Sequence, residues 1–83
     1  MNANTNKETI YKKDFSLGFY LLSLREKNNL THEEVANKIG VSKRTIYYWE
    51  NDFGQSTRKP GLRDLLKLSL LYNVSVDSML MYN

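Results

Sequence analysis

The chain contains no cysteine, which excludes disulfides and thiolate metal sites. It has one histidine, and a single imidazole cannot build a zinc site; no HExxH spacing is present either. No apolar run approaches the roughly 20 residues that a membrane-spanning helix needs. The opening stretch, MNANTNKETIYKK, is polar and carries lysines without an apolar h-region, so no signal peptide is expected. A reducing, cytoplasmic setting is the expectation. The single proline, Pro60, falls with Gly54 and Ser56 in the stretch 51–60, which reads as a loop. No strand of convincing length and no internal repeat appear. There is no nucleophile–base pair, no metal-ligand cluster and no glycine-rich phosphate loop, so neither an enzyme nor a cofactor is expected.

What remains is an 83-residue chain, the size of one small domain. Its net charge of +3 says little by itself, but the distribution says more. The segment 42–63 holds Lys43, Arg44, Arg58, Lys59 and Arg63 against Glu50 and Asp52, which accounts for the whole excess. Residues 32–39, with Glu33, Glu34 and Lys38, are net acidic.

Residues 1–13 lack a sustained period and are expected to form a flexible arm; residues 14–83 are expected to form the folded domain. Whether the arm follows a nucleic-acid backbone or is merely solvated stays open. A first helix is expected from about Ser16 to Asn28, with Leu17, Phe19, Tyr20, Leu21, Leu22 and Leu24 crowding one broad face. A second opens at Thr31, whose hydroxyl and Glu34 make a capping box. Gly40 stops it, because a left-handed backbone costs glycine nothing. Ser42 caps a third helix after a connection so short that the two helices must cross steeply. A fourth covers about Leu62 to Tyr72, with Leu62, Leu65, Leu66, Leu68, Leu70 and Leu71 as its apolar set. Ser75 caps a short fifth containing Val76, Met79 and Leu80. The expected class is all-α.

The third helix, on a wheel at roughly 100° per residue, puts Ile46, Trp49 and Glu50 on one side. Arg44, Tyr47, Tyr48 and Asn51 lie opposite, flanked by Lys43 and Thr45. Arginine and lysine can donate to guanine, asparagine can pair with adenine, and aromatic or methyl groups can touch the thymine methyl. Tyr47 and Tyr48 are either part of such a contact surface or aromatics that shield the core. Ile46 and Trp49 read as core. His32 reads as a surface residue at the start of the second helix, within reach of a phosphate.

The stretches LREKNNLTHEEVANKIGVSKRTIYYWEN and LLKLSLLYNVSVDSML together resemble the phage-repressor/Cro-type, or XRE-family, helix-turn-helix regulators. The resemblance runs from about Leu17 to Leu80. It implies a compact five-helix lambda-repressor-like domain, phage or bacterial, that binds operator DNA as a dimer. It assigns base contacts to Lys43, Arg44 and Tyr48, with Thr45 and Tyr47 beside them at bases or phosphates. Phosphate contacts are expected at Arg25, His32, Asn51, Arg58 and Lys59. The position of His32 is commonly a glutamine in the family. By the same resemblance Arg25 and Glu50 form an ion pair that turns Arg25 toward a phosphate. The loop after Glu50 is longer than usual, and Phe53 either pins it to the core or joins a contact surface.

Val76, Met79, Leu80, Met81 and Tyr82 exceed what a two-turn helix can bury, so they form a candidate dimer surface; the alternative is that they finish the core. The expected function is a sequence-specific double-stranded DNA-binding transcriptional regulator, read as a repressor, whose partners are an operator and a second copy of itself. With no second domain in the chain, control is expected to come from concentration or a protein partner. The competing reading is an antitoxin or accessory protein-interaction module of the same fold.

Overall fold

Ser16 begins the first helix by accepting the Phe19 amide on its hydroxyl, at 3.3 Å. The computed structural model describes residues 16–51 and 59–82. Within them the chain forms α1 (Leu17–Lys27), α2 (His32–Ile39), α3 (Lys43–Glu50), α4 (Leu62–Tyr72) and α5 (Val76–Leu80), and no strand. The arm 1–13, Phe53 and Arg58 lie outside the described residues.

Each boundary has a local cause. Asn28 closes α1 by donating its side-chain amide to the Leu24 carbonyl at 2.7 Å, and Asn29 takes the left-handed backbone at φ 56°. The Thr31–Glu34 box opens α2: the Thr31 hydroxyl accepts the Glu34 amide at 3.1 Å, and the Thr31 amide donates to the Glu34 carboxylate at 2.8 Å. Gly40 ends α2 at φ 79°, with its amide and that of Val41 both donating to the Ala36 carbonyl. Ser42 opens α3 by accepting the Thr45 amide at 3.1 Å. Asn73, left-handed at φ 57°, turns the chain out of α4, and Ser75 opens α5.

Gly40 offers a clean test of backbone strain. A Cβ built there meets nothing within 4 Å, so the cost of a side chain is conformational alone. Gly40→Ala is expected to lower stability by about 1–2 kcal/mol, and Gly40→Asn by less, because asparagine tolerates this region. Urea midpoints at unchanged m-value check the order; equal losses would mean the φ is not what matters.

The core is Leu21 and Leu24 of α1, Val35, Ala36 and Ile39 of α2, Ile46 and Trp49 of α3, Leu65, Leu68 and Tyr72 of α4, and Met79 of α5. Leu17, Tyr20, Leu30, Val41, Leu71 and Val74 pack around it. The densest packing is of α3 against α2 and α1. Lys67 of α4 donates to the Ile39 carbonyl at 3.3 Å, placing a cation on the negative end of α2.

Two expectations change. The apolar set of α4 does not all face inward: Leu62 and Leu70 are 73% and 75% exposed, and Leu66 is exposed too. An 11-residue helix turns only one side to the core, and Leu65, Leu68, Ser69 and Tyr72 already fill it. The candidate dimer surface loses Met79, which is fully buried and belongs to the core. Val76 and Tyr82 are half-buried, and Tyr82 stacks on Tyr20 with ring centroids 4.6 Å apart. The Tyr20 hydroxyl meets that of Ser78 at 3.0 Å, tying α5 to α1. Leu80 and Met81 are exposed.

Candidate nucleic-acid interface

The period of α3 sorts its eight residues. Ile46 and Trp49 go to the core, and Glu50 is carried inward with them. A lone buried carboxylate is costly unless paired, and here the pairing is complete. The Glu50 side chain is 1% exposed and the Arg25 side chain 11%. Arg25 Nε donates to Glu50 Oε2 at 2.8 Å and Nη2 to Oε1 at 3.1 Å, a two-pronged contact matched to the planar guanidinium. Arg25 Nη1 donates to the Leu30 carbonyl at 3.0 Å. All three guanidinium nitrogens thus have protein acceptors, and the group locks α1, the turn before α2, and the end of α3. The Glu50 hydrogen bond raises Arg25 further above its ordinary value, against the opposing pull of desolvation. Burial pushes the nearby Tyr72 phenol well up; the Glu50 charge adds to this and Arg25 counteracts it.

His32 is half-buried at the start of α2. Its side chain is 29% exposed, and its Nε2 lies 3.1 Å from Glu50 Oε1. The ring stands edge-on to Tyr47 at 6.0 Å, and Tyr47 stands edge-on to Tyr48 at 6.2 Å. A row of three rings therefore runs from the start of α2 across α3.

The other expected contact residues divide by exposure. Lys43 and Arg44 are exposed, and Tyr47 is 53% exposed. Thr45 and Tyr48 are half-buried, and the Thr45 hydroxyl meets that of Ser42 at 2.8 Å. Asn51 is also half-buried; its side-chain amide and its backbone N–H both donate to the Tyr47 carbonyl, so it caps α3. Lys59 is exposed beside the buried Pro60. Glu50 is the single acid on α3 and is neutralised by Arg25, so the positive charge of Lys43 and Arg44 is uncompensated on their own helix.

One structural residue behind this surface escapes a reading of motifs. Gly18 lies in the first turn of α1, and a Cβ there would sit 2.7 Å from the Trp49 carbonyl oxygen and 2.8 Å from that of Glu50. The signal was available: a lone glycine among the leucines and aromatics that open this helix marks a place where another backbone approaches closely.

A family model described as helix-turn-helix matches residues 21–79. The chain belongs to the XRE-type helix-turn-helix family. The match takes in α2, the Gly40 turn and α3. The chain is 40% identical over 65 residues to the HTH-type transcriptional regulator ImmR of Bacillus subtilis, covering 78% of this chain and 48% of that one. It is also 40% identical over 60 residues to an uncharacterized HTH-type transcriptional regulator of the same organism, YobD, covering 72% of this chain and 50% of that one. The chain thus spans about half the length of these curated helix-turn-helix relatives. No solved structure matches it significantly. Among the described residues no group of acids and histidines could hold a metal ion, and no helix is long and apolar enough to cross a membrane.

Proposed function

We propose that this domain binds double-stranded DNA in a sequence-specific manner, as part of a cytoplasmic, non-enzymatic transcriptional regulator that acts as a repressor. The observation that carries this reading is the charge arrangement on α3. Its one acid is buried against Arg25, while Lys43 and Arg44 stand exposed on the side away from the core. A helix of that kind, packed against a second helix through the Gly40 turn, suits the major groove. Lys43, Arg44, Thr45, Tyr47 and Tyr48 are the base-contact candidates. His32, Lys59 and Arg58 are the phosphate candidates. Arg25, three of whose five N–H donors are engaged within the protein, stays a phosphate candidate through the other two, and Asn51 keeps its side-chain oxygen and one amide N–H after capping α3. The names of the curated relatives agree with such a role.

One recognition helix covers only a few base pairs. A homodimer doubles the footprint, with half-sites roughly 34 Å apart, and Leu80 and Met81, flanked by Val76 and Tyr82, offer the surface for it. Selecting bound sequences from a random duplex pool tests binding, site and palindromy at once. On the selected site, Arg44→Ala is expected to cost about 1–3 kcal/mol and to relax sequence preference. Equal loss on random DNA would reassign Arg44 to the backbone.

A second reading, an antitoxin or accessory module that binds another protein, is favoured by the exposed Leu62, Leu66 and Leu70, which share one stripe of α4. Failure to enrich any duplex, together with co-purification of a stoichiometric partner, would move the assignment there.

A further inference from the structure

We infer that this domain takes up a proton at His32 when it binds DNA, so that its affinity rises as the pH falls. The inference rests on the DNA-binding reading and specifies how that surface is regulated.

The argument begins with which ring nitrogen carries hydrogen. Both Glu50 oxygens accept from the Arg25 guanidinium, so neither carries a proton and Glu50 can only accept. The His32 Nε2 lying 3.1 Å from Glu50 Oε1 must then be the donor. In a neutral imidazole the other nitrogen, Nδ1, is a bare acceptor. Nδ1 has no hydrogen-bond partner among the described residues, and no partnerless polar side-chain atom there is buried. It therefore keeps some exposure to solvent, at the N-terminal end of α2.

In a helix-turn-helix docked on DNA, the first helix of the motif crosses the phosphate backbone. A phosphate oxygen facing Nδ1 meets a lone pair, which it repels. The same oxygen facing an imidazolium meets an N–H donor and a full charge, while Nε2 keeps its bond to Glu50. A phosphate contact from this ring is thus coupled to binding one proton.

The groups around the ring are compatible with that charge. Glu50 of α3 attracts it, and Arg25 of α1 opposes it but is already paired. Tyr47 of α3 presents its ring, and Tyr72 of α4, beside the Arg25–Glu50 pair, stays neutral because burial holds its phenol protonated. On α2 itself, Glu34 is engaged by the Thr31 amide, and Glu33 is exposed. A glutamine, common at this position in the family, could make the same contact with no proton at all, so the coupling is a consequence of having histidine here.

The test uses the full chain and a duplex carrying the selected site. Dissociation constants are measured by fluorescence anisotropy at pH 6, 7 and 8 at fixed ionic strength, for wild type and His32→Gln. Circular dichroism checks that both stay folded throughout. Wild type is expected to bind about three- to tenfold tighter per protomer at pH 6 than at pH 8. His32→Gln is expected to lose that slope, and a random duplex to show the same pH increment, because phosphate carries no sequence information. Nitrogen-15 spectra of the imidazole give an independent reading: protonated at Nε2 alone in the free protein at pH 8, and at both nitrogens in the complex at pH 6. Equal pH slopes in wild type and variant, a flat wild-type profile, or a singly protonated ring in the complex at pH 6 would overturn the inference while leaving DNA binding intact. Absence of binding to any duplex at every pH would remove the DNA-binding reading and this inference together.

Discussion

Glu50→Ala is expected to destabilise the domain by about 3–5 kcal/mol. That is a large part of the stability of a domain this small. The substitution leaves the Arg25 guanidinium in a site where its side chain is 11% exposed, with the Leu30 carbonyl as the one acceptor remaining to it. The loss reflects an uncompensated buried charge more than the worth of the ion pair. Replacing both partners, as in Arg25→Met with Glu50→Leu, is therefore expected to recover much of the stability. The double variant should still lose DNA affinity, because the end of α3 is no longer tied to α1 and to the turn before α2. Trp49, the one tryptophan in the chain and part of the core, reports the transition in urea. A loss under about 1 kcal/mol for Glu50→Ala would mean that water satisfies Arg25 and that the pair is not structural.

Gly18→Ala is expected to destabilise by about 1–3 kcal/mol, although alanine is the better helix former. The contacts decide the sign. The added methyl would lie 2.7 Å and 2.8 Å from two carbonyl oxygens at the end of α3. These are backbone atoms and cannot swing aside as a long side chain could. Either α1 or α3 has to move, and movement at this seam also disturbs the Arg25–Glu50 geometry. Gly18→Val should be worse still. The effects of Gly18→Ala and Glu50→Ala should not add, since both act where α1 meets α3. A Gly18→Ala protein with a raised urea midpoint would show that the close approach is not needed.

Much of this domain is legible in one dimension because its boundaries are local events. A capping box needs Thr31 and Glu34 three residues apart, and a left-handed stop needs Gly40; neither depends on distant chain. The inward side of α3 follows from helical period alone, which puts Ile46, Trp49 and Glu50 together. The pairing of Arg25 with Glu50 was suggested only by family resemblance. Period shows that Glu50 needs a partner, but not which of the chain's cations folds next to it.

The same limit explains the misreadings. Six leucines on α4 read as one apolar set, yet only those facing the core are covered, and Leu62, Leu66 and Leu70 are left outside. Met79 looked available for a second subunit because a short helix has little to bury, but it fills the floor of the core. For His32 the sequence shows a surface residue at the start of α2, but not its bond to Glu50, which spans 18 positions. Sequence alone therefore determined the elements, their ends and the polar side of α3, since those depend on neighbours a turn away. Tertiary structure decided which cation neutralises Glu50, why Gly18 has no side chain, and which nitrogen of His32 stays open. Those depend on distances between helices, and only packing sets them.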